Sequence, residues 1–366
     1  MNTLMLRLPN PDTFTEMKLL FPIVSLVITS TACSRAQDSP AAFAQECASR
    51  TQKGQFSVRG DDPAWFFLNR ELKQLATGKF WEKDWATIAA NKSDPTPHIV
   101  KFNELLKAKN VQLILVPIPA KAAIYPDKLA AKFSSSDPQA LKGYFDELKK
   151  QGVDVLDIEP VLKAHRAKTG GEGADKLYCE QDAHFSPLTA EIIAGLIKKK
   201  VANEAWFKDQ QKTSFKRSAR QTLSITGDLV KGVSFNPPPT SETLTLRYAG
   251  KDAGGKVESV PADRDSPVLL VGDSHTMVFT DGASTGMHCQ SAGLQDQLQY
   301  EFGFAIDRVA NRGSGLVQAR KSLVLMRVRS EAGFWDRKKL VIWVFSAREF
   351  TQSSDKLIPL PIEIPK

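Results

Sequence analysis

Cysteine and histidine are scarce: the 366-residue chain has four of the first and five of the second. No two cysteines have CxxC spacing, so a zinc ribbon or a thioredoxin-like site has no support. No internal repeat is visible. A long apolar run is also missing, since the stretch from Leu19 to Ile28 falls short of the roughly 20 residues that a membrane span needs. Charge of one sign is not concentrated. With 49 basic and 41 acidic residues the net +8 supports only a mild preference for polyanions. No nucleic-acid reading motif accompanies it, so nucleic acid is not an expected partner. A hydrophobic fraction of 42% excludes disorder and a multi-span membrane protein.

What is present begins with Lys18 followed by the apolar segment Leu19 to Ile28, the pattern of an export signal, with Met17 as an alternative start. Ala32-Cys33 closes it. Residues 1–33 are therefore expected to be an export signal or anchor, with Cys33 as a lipidation candidate, and the globular body is expected in the periplasm, free or membrane-anchored. Residues 34–57 form a mature N-terminal extension, 58–352 the body, and 353–366 an irregular tail rich in proline. In an oxidising compartment the remaining cysteines permit one bridge. Cys47 to Cys179 is the expected pair, with Cys289 left as a buried thiol.

Helix and strand patterns alternate along the body. A helix is expected from His98 to Lys109, a buried strand from Val111 to Pro117, a helix from Pro138 to Lys150 capped by Asp137, and a strand from Val153 to Leu156. Ser186-Pro187 reads as a cap and first turn of a helix ending in three lysines at 198 to 200. Residues 206–265 are turn-rich with alternating Thr and Leu, an inserted polar β excursion. Strands at Val268 to Val271 and Val341 to Phe345, with a helix from Leu294 to Phe302, complete an α/β signature.

The strongest chemical signal is a strand that ends in Gly272-Asp273-Ser274-His275. A hydroxyl at the C-terminal edge of a parallel strand, beside free backbone N–H groups, suits nucleophilic catalysis. The G-x-S-x-G elbow is not met, because Thr stands at position 276. A serine nucleophile needs a base, and the base needs a carboxylate that fixes its tautomer. Asp182-Ala183-His184 offers both. His98, His165 and His288 read as surface residues, and His275 as a pocket residue. Asp182, His184, Asp273 and His275 could ligate a metal, but no recognised ligand run supports it, and neither metal nor cofactor is expected.

These motifs resemble the alginate O-acetyltransferase family of the AlgX and AlgJ type, in which Asp-x-His precedes Gly-Asp-Ser. The resemblance extends to Gly60-Asp-Asp-Pro-Ala-Trp65-Phe66-Phe67-Leu68, to Leu113 through Pro126, and to Val341 through Glu349. Pro63-Ala64 stand where the family has a glycine before tryptophan. The resemblance implies an SGNH-hydrolase-like three-layer fold with a central, mostly parallel sheet. It also implies Ser274 as nucleophile, His184 as base and Asp182 as its orienting partner. The expected partners are a polysaccharide acceptor and an acetyl donor supplied by a membrane protein of an exopolysaccharide system.

Gly272 and Asn311 are candidates for the oxyanion site, Asn311 with the alternative of an ordinary turn residue. Arg348 leaves a buried strand, where it either pairs with an acid such as Glu349 or meets an anionic substrate. Lys121 and Tyr125 are candidates for the same cleft, with ordinary loop packing as the alternative. Three outcomes stay open: transfer of acetyl to a sugar, its transfer to water by a carbohydrate esterase, or polysaccharide binding without catalysis.

Overall fold

A computed structural model describes residues 39–362 except 52, 135–139, 232–233 and 314. The export segment and Cys33 lie outside the described residues, as do Asp137 and Pro138. Among the described residues no helix is long and apolar enough to cross a membrane.

Five strands, β1 (Gln112–Ile118), β2 (Asp154–Val155), β3 (Val268–Gly272), β4 (Asp307–Ala310) and β5 (Leu340–Ser346), form one sheet. Their order is β4-β3-β5-β1-β2, and every pairing is parallel. The apolar runs suit this arrangement because a parallel sheet is covered on both faces and both sets of alternating side chains must be hydrophobic. Ile114, Val116, Val268, Leu270, Ile342 and Val344 point into one core. Their neighbours Leu113, Leu115, Leu269, Val271, Val341 and Trp343 point into the other.

Helices fill both outer layers. On the first face lie α3 (Pro187–Val201) and α4 (Leu294–Phe302), contributing Ile193, Ile197, Leu298 and Phe302. On the second lie α1 (Thr96–Lys107) and α2 (Lys142–Lys150), contributing Phe102, Leu106, Tyr144 and Leu148. The expected three-layer α/β fold is therefore present. Ser186 caps α3 by accepting a hydrogen bond from Thr189 N–H, and Pro187 occupies its first turn, where no intrahelical donor is needed.

The polar excursion is a set of antiparallel strands. Gln221–Ile225 pairs with Glu242–Leu246, while Lys216–Arg217, Ala249–Ala253 and Lys256–Glu258 form a second small sheet. The described part of the tail has no helix or strand beyond Gln352, yet Leu357 and Ile362 are buried and Ile362 O accepts a hydrogen bond from Trp335 Nε1.

The expected bridge between Cys47 and Cys179 is not formed. Both are free thiols, fully buried among apolar neighbours. Each already fills a place in the core, as free cysteine does in most interiors. Cys289 is also free and only half-buried.

Candidate active site

The C-terminal edge of β3 is where an open parallel sheet offers side chains to a ligand. After Gly272 the chain makes a short 3-10 turn, Ser274–Thr276, capped by Asp273. Gly272 is required there by packing: a Cβ would lie 2.5 Å from Val344 O and 2.5 Å from Thr276 Cγ2. Its carbonyl accepts a hydrogen bond from Asn311 N–H, which follows β4 at the same edge. Asp273 pins the turn to the sheet, since its Oδ1 accepts from His275 N–H at 2.9 Å and its Oδ2 from Ser346 N–H at 3.0 Å, just at the end of β5.

Asp182 and His184 sit in the irregular segment before α3. His184 Nε2 lies 2.7 Å from Ser274 Oγ, and His184 Nδ1 lies 2.5 Å from Asp182 Oδ1. With the proton on Nδ1, the ring donates to the carboxylate and accepts from the serine hydroxyl. Ser274 is 7% and His184 8% exposed, so the pair is nearly dry but still opens to solvent. Burial opposes ionisation of Asp182, but the charge of His184 and bonds from His184 and His288 outweigh it and hold the carboxyl well below its ordinary range. Burial likewise opposes the imidazolium of His184. The charge and hydrogen bond of Asp182 outweigh it, Asp228 and Asp273 add to them, and the pKa rises above its ordinary value. A serine hydroxyl in this setting has a base within reach and a fixed counter-charge behind that base.

The polar excursion braces this loop. Glu242 accepts from Glu180 N–H and Gln181 N–H, both at 2.8 Å, and Asp228 Oδ1 accepts from Ala183 N–H at 2.8 Å. Gly227 passes so close to the loop that a Cβ would lie 2.0 Å from Gln181 O. His288, read from sequence as a surface residue, is instead 7% exposed at its side chain, with Nε2 2.9 Å from Asp182 Oδ2. Neither Asp228 nor His288 carries a local sequence signal for this site. Their contacts with Asp182 and its neighbour are made across loops distant in the chain.

Lys121 is fully buried and donates to Phe66 O at 2.7 Å and Glu180 O at 3.1 Å, so it ties backbone segments together in the interior rather than lining a cleft. Tyr125 is also fully buried, its hydroxyl donating to Gly171 O and accepting from Leu177 N–H. In both cases the polar end is satisfied by main-chain groups, which is what makes its burial tolerable. Arg348 takes the structural alternative, 3.4 Å from Glu71 Oε1 and 3.2 Å from Glu349 Oε1. His275 Nδ1 lies 3.0 Å from Asp273 Oδ1, and its ring packs edge-on against His184 at 4.9 Å. Asn311 is half-buried, and its side-chain oxygen has no partner among the described residues.

Asp182, His184 and Asp228 have ligand atoms within 4.8 Å of one another. Asp182 and His184, however, already use theirs in bonds to each other, to Ser274 and to His288.

A parallel α/β sandwich with a serine at the end of a central strand, met by an Asp-x-His loop, defines the class of SGNH-hydrolase-like proteins. Within it, residues 58–347 match the family described as SGNH hydrolase-like domain, acetyltransferase AlgX, and the chain belongs to that family. It is 23% identical over 313 residues to the probable alginate O-acetylase AlgJ of Pseudomonas aeruginosa, a match spanning 81% of this chain and 71% of that protein. The corresponding protein of Pseudomonas syringae is 26% identical over 229 residues, 60% of this chain and 54% of the relative. Among solved structures, the O-acetyltransferase domain of Pseudomonas putida AlgJ aligns with a TM-score of 0.58 and 22% identity, covering 84% of this chain and 96% of that domain. Pseudomonas aeruginosa AlgX aligns with a TM-score of 0.55 and 18% identity, covering 89% and 70%.

Proposed function

We propose that this protein is a serine-dependent O-acetyltransferase that acetylates hydroxyls of an exported bacterial polysaccharide, with alginate as the first choice of acceptor. The observation that carries the reading is the continuous set of hydrogen bonds from Ser274 through His184 to Asp182 in a chain of the AlgX family. Alginate enters through the names of the relatives, and an acidic polymer suits a chain of net charge +8.

In the first step Ser274 Oγ attacks the acetyl carbonyl carbon while its proton passes to His184 Nε2. Asp182 stabilises the imidazolium so formed and stays ionised. The donor's leaving oxygen takes the proton from His184, and acetyl-Ser274 remains. In the second step a sugar hydroxyl gives its proton to His184 and attacks the acetyl carbon. Ser274 Oγ departs and recovers the proton. Oxyanion stabilisation is assigned to the N–H of Ser274, because the N–H groups of His275 and Thr276 already donate to Asp273, with the side-chain amide of Asn311 at the same sheet edge as a further donor.

The same reading places the protein in the periplasm, exported or anchored through residues 1–33, and makes a membrane protein of the exopolysaccharide system the source of acetyl groups. The test supplies a small acetyl ester with alginate and neutral glucan oligosaccharides. The expected product is acetylated sugar formed by the wild type and not by Ser274→Ala. Deacetylation of an acetylated polymer with no transfer to any acceptor would identify an esterase, and tight polymer binding with neither reaction would identify a scaffold.

A further inference from the structure

We infer that His288 is a positioning residue for the acid–base pair: it holds the far oxygen of Asp182 and ties that carboxylate to the nucleophile's own loop. The inference rests on the reading of Ser274, His184 and Asp182 as the reacting set.

Asp182 receives donors on both oxygens. Oδ1 accepts from His184 N–H at 3.1 Å and lies 2.5 Å from His184 Nδ1. Oδ2 accepts from Asp228 N–H at 3.1 Å and lies 2.9 Å from His288 Nε2. A carboxylate held at both ends cannot rotate about its Cβ–Cγ bond without losing donors, so the direction in which it meets His184 is fixed. His288 is the side chain that closes this arrangement from the side away from His184.

The backbone that delivers His288 is unusual. His288 has φ 66°, and the same loop holds Phe279 at φ 59° and Ser291 at φ 66°, three non-glycine residues in the left-handed region. Such conformations persist where the surroundings over-determine them, and they gather at functional sites. Here the surroundings do so: Phe279 N–H donates to Met287 O at 2.9 Å, Gly282 N–H to Cys289 O at 3.1 Å, and Ala292 N–H to Phe279 O at 2.9 Å. The His288 ring lies over Phe279 at 5.4 Å.

The loop also begins at the nucleophile. Met277 N–H and Val278 N–H both donate to Ser274 O, at 3.0 and 2.9 Å. Ser274, His184, Asp182, His288 and the Phe279 turn thus make a closed circuit, in which the serine and the carboxylate are joined by two routes. One route is the reacting set itself. The other, through His288, keeps Ser274 and His184 in register while protons move along the first.

His288→Ala and His288→Gln separate this role from simple packing, because the glutamine amide supplies an N–H where Nε2 stood. On a small acetyl ester, His288→Ala should lower kcat by roughly ten- to a hundredfold, the effect of leaving a buried carboxylate oxygen short of a donor. KM should stay within about twofold of wild type. His288→Gln should recover most of the rate. A second readout needs no turnover: the downfield proton resonance of the Asp182–His184 hydrogen bond should persist in His288→Gln and be shifted or lost in a folded His288→Ala. A wild type without esterase activity would count against the reacting set, and the resonance would still decide the role of His288. Wild-type kcat with an unshifted resonance in His288→Ala would overturn the inference, as would equal impairment of the two variants.

Discussion

His184 Nε2 and Ser274 Oγ lie 2.7 Å apart although 90 residues separate them in the chain. That contact depends on two devices: a nucleophile turn pinned to β5 through Asp273, and an Asp-x-His loop pinned to the β excursion through Glu242 and Asp228. Substituting Asp182→Asn removes the counter-charge and presents an amide to His184 Nδ1 in place of an acceptor oxygen in one of its two orientations. Turnover of an acetyl ester should fall by roughly 10²- to 10⁴-fold with the fold retained. Unchanged turnover would remove Asp182 from the account.

The raised pKa of His184 sets the pH dependence. In the proposed mechanism His184 takes a proton only when neutral, and its pKa in the folded protein lies above the ordinary 6.5. The kcat/KM of the free enzyme should therefore be low in acid, rise with pH, and level off only after passing a midpoint above 6.5. A pH–rate profile with its acid midpoint below the ordinary histidine value would contradict the dominance of Asp182 over burial.

Gly227 tests the bracing of the loop. A Cβ added there would lie 2.0 Å from Gln181 O and 2.4 Å from Asp182 N, both main-chain atoms that cannot move independently. Gly227→Ala should cost about 1–3 kcal/mol of stability, the usual penalty of overpacking, and should displace Asp182. Thermal unfolding together with ester turnover checks this; a variant with wild-type Tm and kcat would show that the loop is not held from this side.

The thiols offer a test of the interior. Burial pushes Cys47 and Cys289 up to about 12, with Glu46 and Asp296 adding in the two cases, and pushes Cys179 up as well. Alkylation of the folded protein near neutral pH should be slow at all three. In denaturant without reductant all three should be modified, as peptide mapping would show. A Cys47–Cys179 linked peptide would restore the bridge that the sequence suggests.

The legible parts of this protein are those governed by local pattern. Val268 to Val271 and Val341 to Phe345 are apolar on both faces, so they announce a buried parallel sheet, and Ser186-Pro187 announces the start of α3. Asp182, His184 and Ser274 stand out in the sequence because their residue types and local contexts carry chemistry, and the fold brings them within hydrogen-bond distance. His288 does not, since its partner lies 106 residues away and its own neighbourhood of Gly and Ser resembles a surface loop. Lys121 misled for the opposite reason. A lysine is rarely buried, so a cleft is the natural reading, while the carbonyls of Phe66 and Glu180 that satisfy it are visible only in three dimensions.

The most direct measurement is the mass of the quenched protein during turnover of an acetyl donor, followed by peptide mapping. The account predicts a single added acetyl group, an increment of about 42 Da, carried on Ser274 as a covalent intermediate. It should disappear when an oligosaccharide acceptor is added, as acetylated sugar forms, and should never form in Ser274→Ala. Transfer to sugar by Ser274→Ala at the wild-type rate, or an acetyl group mapped to another residue that turns over with acceptor, would contradict it.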